Sequence, residues 1–363
     1  MTAVQASPGI FRGAKTLSIM PTYTCPAACE HCASMSSPQA RENLSLDVML
    51  SAIDQAKALG FYNVVFTGGE ATLRWKDLLT AIRHAAALGF PVRLVTNAHW
   101  AVNRRAAERR LDALLQAGLT EINYSTGDEH VRFVPLERVI EACLAAARRG
   151  FKAWVMVELR AARRVGGSAI TEHPRIAALP AEARECIEIL ESPWMPLDPS
   201  QLEDYPSGVA ADSHTLKAYM ACNNVLQTYT VQADGRVGAC CGIGMRQIPE
   251  LNVTTVAQPD FLARAVEDAE GDFLKLWIHY QGPEQILAWA AAINPSIQWE
   301  GMYAHRCQAC ARLYRDETIR RVVREHYDEM LTQVLQAAWL DERYVPQASR
   351  QMREKRMARA QPA

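Results

Sequence analysis

No stretch of this sequence is long, apolar and uncharged enough to span a bilayer, and its N-terminus lacks a basic region followed by an apolar run. These absences exclude a helical membrane protein and a cleaved export signal, so a soluble cytoplasmic chain with no membrane partner is expected. Net charge is nearly missing as well, at -1 over 363 residues, which gives no electrostatic ground for nucleic-acid binding. The local exception is a basic run of Arg343, Arg350, Arg353, Lys355, Arg356 and Arg359 against Glu354, read as a solvated tail. With 49% hydrophobic and 22% charged residues the chain can bury a large core, and disorder, collagen and coiled coil are excluded.

A disulfide framework is also not expected, because the cytosol keeps thiols reduced. The ten cysteines therefore need another reading. Cys143 and Cys186 sit among apolar helix-type residues and read as buried fillers. The rest form an early group, Cys25, Cys29 and Cys32, and a late group, Cys222, Cys240, Cys241, Cys307 and Cys310.

Helix-like segments end at Gly60, Gly89, Gly118 and Gly150, separated by 29, 29 and 32 residues, and each glycine precedes an apolar residue. Glycine closes helices at this position, and the spacing matches a repeated strand and helix unit. Strands are expected at Leu17 to Met20, Asn63 to Phe66, Val92 to Thr96, Glu121 to Tyr124 and Ala153 to Val157. A sixth unit is expected from a helix over Ile176 to Leu190 and a short strand over Ser192 to Leu197. Such alternation implies a parallel α/β sheet, open or closed into a barrel. Polar and glycine-rich residues follow the strands, at the sheet edge where α/β folds bind ligands.

Three cysteines spaced C-x3-C-x2-C can turn their thiolates to one centre. Three ligands on a [4Fe–4S] cube leave one iron open; structural zinc would want a fourth ligand, and His31 is poorly placed for it. In the late group, Thr228 to Val231 and Val237 to Ala239 read as a hairpin around Asp234-Gly235, beyond a proline-rich linker over Asp198 to Gly208. A helical region over Phe261 to Ile293 precedes a short loop carrying Cys307 and Cys310. Hairpin and loop would supply two thiolates each, and zinc or iron–sulfur would satisfy them. Thr318 to Leu340 reads as a helix with one apolar face. An aromatic set of Tyr205, Tyr219, Trp277, Tyr280 and Trp289 would line a groove or belong to the core.

Cys25-Pro26-Ala27-Ala28-Cys29-Glu30-His31-Cys32 after the first strand, with Thr67-Gly68-Gly69-Glu70 after the second, resembles the radical S-adenosylmethionine (SAM) superfamily. The resemblance implies a partial (β/α)6 TIM-like barrel over 12–200. It also implies a [4Fe–4S] cluster on Cys25, Cys29 and Cys32, with SAM on its fourth iron and Gly68, Gly69 and Glu70 receiving the SAM amino group. Ser125 resembles the residue that contacts ribose or the methionyl carboxylate; Asn97 and Glu158 would support the same ligand, or simply cap strand ends. His31 stands where family members carry an aromatic residue near the adenine. Asp128 and His130 would face substrate, and as a pair would brace the loop or move a proton. The second half is similar to a twitch domain, the shortened form of the SPASM extension, over 201–315, with a C-terminal helix and basic tail over 316–363. Cys222, Cys240, Cys307 and Cys310 would then hold one auxiliary [4Fe–4S] cluster, since Asp316 stands where the longer form has a further cysteine.

What the resemblance implies for function is a 5'-deoxyadenosyl radical that takes a hydrogen atom from substrate, with electrons from a flavodoxin or ferredoxin. The favoured substrate is a ribosomally made peptide that is oxidised or cross-linked, as in natural product biosynthesis. The first strand begins close to the N-terminus, leaving no room before it for a leader-binding domain, so a separate peptide-recognition protein or the strand edges would recruit the peptide. Two alternatives stand beside this: a redox-neutral epimerase of a peptide or aminoglycoside-like sugar that uses Cys241 as hydrogen donor, and a zinc-stabilised binding protein without activity.

Overall fold

The computed structural model describes residues 14–344, apart from 199, 219, 220, 243 and 342. Tyr219 and the basic residues beyond Arg343 lie outside the described residues.

Six parallel strands stand side by side in chain order: β1 (Thr16–Ile19), β2 (Asn63–Phe66), β3 (Val92–Thr96), β4 (Glu121–Thr126), β5 (Ala153–Leu159) and β6 (Ile187–Pro193). Helices Leu46–Ala58, Trp75–Ala87, Arg104–Ala117 and Leu136–Ala147 connect the first five. Alternation along the strands sorts the residues. Leu17, Ile19, Val64, Phe66, Leu94, Ile122, Tyr124 and Val155 are fully buried in the main core, which also takes up Met49, Ile53, Leu78 and Ile82 from the helices. Intervening positions such as Val95, Ser125, Met156 and Ser192 line a cavity on the concave side. This is a partial (β/α)6 barrel, and the four glycines read as helix ends all have positive φ.

The sheet does not end with the barrel. A seventh strand, β7 (Thr228–Val231), pairs in parallel with β1, Thr16 opposite Thr228. β8 (Arg236–Gly238) and β9 (Asn252–Thr255) then add antiparallel, giving nine strands in the order β6-β5-β4-β3-β2-β1-β7-β8-β9. The expected hairpin thus prolongs the barrel sheet and brings the C-terminal half beside the first strand.

Four local expectations are corrected. The sixth unit has no helix over 176–190: Pro174 and Pro180 break it into short helices Ser168–Thr171, Pro174–Ala177 and Ala181–Arg184, and the strand starts at Ile187. Cys307 and Cys310 lie on a helix, Arg306–Arg315, whose start is closed by a capping box between His305 and Gln308. The C-terminal helix Glu317–His326 stops at Tyr327 before helical structure resumes over 328–341. Cys186 is half-exposed on the turn into β6, its thiol 3.6 Å from the Glu182 carbonyl, whereas Cys143 is buried as expected. The aromatic set divides: Trp277 is fully buried with Trp289 packed edge-on to it, and the Tyr205 hydroxyl donates to the Trp194 carbonyl.

Candidate functional site

A cavity of about 350 Å3 opens at the C-terminal edge of the strands, and Cys25, Cys29 and Cys32 form part of its wall. Their loop is held by its own backbone. Cys25 N donates to Ser37 O (3.1 Å), Cys32 N to Cys29 O (3.2 Å) and Met35 N to Cys32 O (2.9 Å). Ser34 Oγ lies 3.3 Å from Cys32 Sγ and donates to Gly68 O, fastening the cysteine loop to the glycine loop. Burial pushes the Cys25 and Cys29 thiols up to about 12, so without a cation among them they stay neutral. Together with Cys32 they put three thiols on one wall, which suits a thiolate-binding metal centre.

Gly68 and Gly69 line the same cavity, and their lack of a side chain is required. A Cβ on Gly69 would stand 2.4 Å from Thr24 O, and one on Gly68, at φ +118, 2.7 Å from Thr22 O. The backbone of this loop therefore comes close both to the cysteine loop and to whatever fills the cavity.

Glu70 is placed differently from its two neighbours. Its carboxylate is buried outside the cavity wall and accepts from Thr72 Oγ1 (2.6 Å), Thr72 N (3.2 Å), Thr96 Oγ1 (2.8 Å) and Asn97 N (2.8 Å). The side chain joins the ends of β2 and β3, whereas Thr67, Gly68 and Gly69 line the cavity. Asn97 does line it, donating from Nδ2 toward Cys25 Sγ at 3.5 Å, and Ser125 lies across from it on β4.

Asp128 and His130 part company. The Asp128 carboxylate accepts from the backbone of Arg164 and Val165 and braces the loop after β5. His130 faces the cavity, with Nδ1 2.9 Å from Glu158 Oε1, and His31 Nε2 is 3.4 Å from the same oxygen. Burial drives Glu158 upward, but the His130 hydrogen bond and the two imidazoles carry its carboxyl below the usual value. Burial holds His31 down at about 4. Gly127 permits this arrangement, since a Cβ there would lie 2.5 Å from the Glu158 carboxyl carbon. Trp194, its ring 5.4 Å from His31 and 4.1 Å from the Arg160 guanidinium, closes that side. Trp194, Met20 and Met245 were not among the expected site residues; they follow the ends of β6 and β1 and come from the far half of the chain, and Thr67, adjacent to Gly68, is the lining residue outside the expected set that had a sequence signal.

The late cysteines gather elsewhere. Cys222, Cys240, Cys307 and Cys310 surround a small cavity of about 10 Å3 under the hairpin. Burial raises Cys240 and Cys310 well above the ordinary thiol value. Gly242 leaves the needed room, because a Cβ there would be 2.7 Å from Cys307 Sγ. Its amide donates to Cys240 Sγ at 3.1 Å. Cys241 is not part of this set: it lines the large cavity, its thiol held up at about 11 by burial. Successive residues of the hairpin thus serve two different cavities.

Residues 19–159 match the family model described as the Radical SAM superfamily. Over 108 residues, 30% of this chain, the sequence is 35% identical to the PqqA peptide cyclase of Xanthomonas campestris pv. campestris. The match spans only 27% of that relative's length. Among solved structures, native anSMEcpe with bound AdoMet and Cp18Cys peptide superposes with a TM-score of 0.54 at 12% identity, over 90% of this chain and 99% of that one. Streptococcus suis SuiB bound to precursor peptide SuiA gives 0.52 at 14% identity, over 73% of this chain and 67% of that one. At such identities these likenesses speak for the fold.

Proposed function

We propose that this chain, whose residues 19–159 match the Radical SAM superfamily model, removes a hydrogen atom from a ribosomally made peptide, leaving it oxidised or cross-linked. The observation that carries the reading is the meeting of three thiols and a side-chain-free glycine pair in one cavity wall. The peptide substrate is supported by the similarity to a peptide cyclase and by the fold shared with proteins solved with peptides.

Cys25, Cys29 and Cys32 would hold a [4Fe–4S] cluster, with SAM along Gly68, Gly69, Asn97 and Ser125; when bound and reduced by a flavodoxin or ferredoxin, these groups supply a 5'-deoxyadenosyl radical. The chain's own work is to position and exclude. Met20, Met156, Met245 and Trp194 give the cavity apolar surface that keeps water and stray hydrogen donors from a substrate radical. Oxidation after hydrogen loss needs an outlet for a proton, and His130, oriented by Glu158, is the imidazole placed to take it. The four-thiol set Cys222, Cys240, Cys307 and Cys310 of the 201–315 segment would hold a twitch-type auxiliary [4Fe–4S] cluster, which would supply the electron outlet. Presentation of the peptide by a separate recognition protein is compatible with this arrangement.

A second reading is favoured by one observation: Cys241 opens into the reaction cavity, not toward its neighbour's site. A thiol there would return a hydrogen atom to the substrate carbon and make the reaction a redox-neutral epimerisation of a peptide or aminoglycoside-like sugar. Reaction in D2O separates the two. A Cys241→Ala enzyme that still makes the cross-linked product excludes the epimerase, and one that makes 5'-deoxyadenosine but no deuterated product supports it.

The deciding experiment for the whole reading is anaerobic reconstitution followed by reduction with SAM. Brown protein containing iron and acid-labile sulfide that forms 5'-deoxyadenosine is expected. Colourless, zinc-loaded protein that leaves SAM intact would establish the zinc-stabilised binding protein instead.

A further inference from the structure

We infer that the open edge of β6 is the docking site for the peptide substrate, which adds there as an extended strand bearing lysine or arginine and runs on into the cavity. The inference rests on the peptide reading above and says how the peptide is held.

β6 is the last strand of the sheet on its side. Ala153 N donates to Cys186 O (2.8 Å) and Trp194 N to Leu159 O (2.9 Å), so the even-numbered residues of β6 bond toward β5. Ile187, Ile189 and Glu191 therefore direct their N–H and C=O groups to the free edge, where they have no backbone partner among the described residues. A seven-residue edge in unbroken register with β5 is the kind that proteins usually blunt with a bulge, a lysine or a covering segment. Pro193, without an N–H, ends the run where the cavity begins, for Ser192, Pro193, Trp194 and Met195 line it. The edge and the reaction cavity are thus continuous. Paired Met156 and Leu190 form an apolar step between them and remain 37% and 39% exposed.

Charge specifies the occupant. Residues 172–204 hold eight acidic side chains against two arginines, in a chain whose net charge is only -1. Glu188 and Glu191 pair with Lys152 and Arg163, while Glu182 and Glu185, just ahead of the strand, are exposed and in no ion pair among the described residues. An added strand would meet backbone partners for affinity and this acidic approach for selectivity.

The test uses the reconstituted full-length chain and a fluorescent eight-residue peptide alternating lysine and valine, read by anisotropy. Wild-type protein should bind it and should not bind the glutamate–valine counterpart. Ile189→Pro removes one outward N–H without touching the bonds to β5, and should weaken binding by about tenfold or more. Charge reversal at Glu182 and Glu185 should weaken it as well. Unchanged binding by an Ile189→Pro protein with wild-type iron content and melting would overturn strand addition, and unchanged binding after charge reversal would overturn the basic occupant. Should Ile189→Pro not fold, the wild-type protein decides with a peptide N-methylated along one edge, whose equal binding would also overturn strand addition. Wild-type protein that forms 5'-deoxyadenosine yet binds no peptide defeats this inference alone, whereas protein that cannot cleave SAM defeats the proposed function whatever it binds.

Discussion

At the mouth of the barrel, Cys25, Cys29 and Cys32 border a cavity of about 350 Å3; under the hairpin, Cys222, Cys240, Cys307 and Cys310 close around about 10 Å3. Both groups are largely buried thiols with glycine beside them. The difference lies in ligand number and room. Three thiols beside a large space leave a centre able to take an exogenous ligand, while four around a small one leave nothing to exchange. The boundary between the two arrangements runs between Cys240 and Cys241.

Breaking the open site should have the largest effect. Cys29→Ala removes one of the three proposed ligands, and 5'-deoxyadenosine formation should fall to background while iron drops by about four atoms per chain. Retained SAM cleavage in that variant would mean that the catalytic metal lies elsewhere. The boundary is sharpened by changing the adjacent cysteines separately. Cys240→Ala should lose a similar amount of iron, melt earlier and still cleave SAM, whereas Cys241→Ala should keep wild-type iron and stability. Equal iron loss in both variants would place Cys241 among the ligands.

The open site was far more legible in the sequence than the closed one, for a physical reason. Cys25, Cys29 and Cys32 share one loop, and Gly68 and Gly69 follow the next strand, so local spacing alone brings the types together. The closed site joins residues up to 88 positions apart, Cys222 to Cys310, and its helix start at Arg306 is set by a His305 and Gln308 capping box that cysteine spacing does not reveal. The sixth strand is misplaced in the sequence reading because Ile176, Leu179, Ala183, Ile187 and Leu190 fit a helical apolar stripe, and the prolines at 174 and 180 weigh against it. Adjacency does not decide Glu70: Gly68 and Gly69 line the cavity, whereas its own carboxylate is buried against Thr72, Thr96 and Asn97.

Each site also contains one buried imidazole, and acid should test both alike. Burial holds His31 and His305 at about 4, against an ordinary value of 6.5. Between those values the unfolded chain binds protons that the folded chain refuses, so stability is lost as pH falls from 6.5 toward 4, by up to roughly 3 kcal/mol per residue. Denaturant unfolding of the metal-free protein at pH 7 and pH 4.5 measures this, and His31→Gln and His305→Gln should each flatten the dependence. A pH response that survives both substitutions would have to arise from other groups, Glu158 of the open site among them, since its carboxyl is held below the usual value.

The smallest effect is expected at Glu70, and it separates a carboxylate that touches the cofactor from one that supports the loop. All four of its hydrogen bonds come from donors, Thr72 N, Thr72 Oγ1, Thr96 Oγ1 and Asn97 N, with His99 Nδ1 4.0 Å from Oε2, so Glu70→Gln sets an amide N–H against at least one of the four. The cost should be about 1–3 kcal/mol of stability. The effect on catalysis should pass through Asn97, whose backbone Glu70 holds and whose amide reaches toward Cys25. SAM affinity in the variant should therefore weaken only a fewfold, with 5'-deoxyadenosine formation retained at saturating SAM. If the carboxylate itself received the SAM amino group, removing its charge would cost a charge-assisted hydrogen bond, and affinity would fall by about tenfold or more with stability little changed. Isothermal titration with SAM alongside thermal melting reads both quantities, and the second pattern would move Glu70 from the support of the open site into its wall.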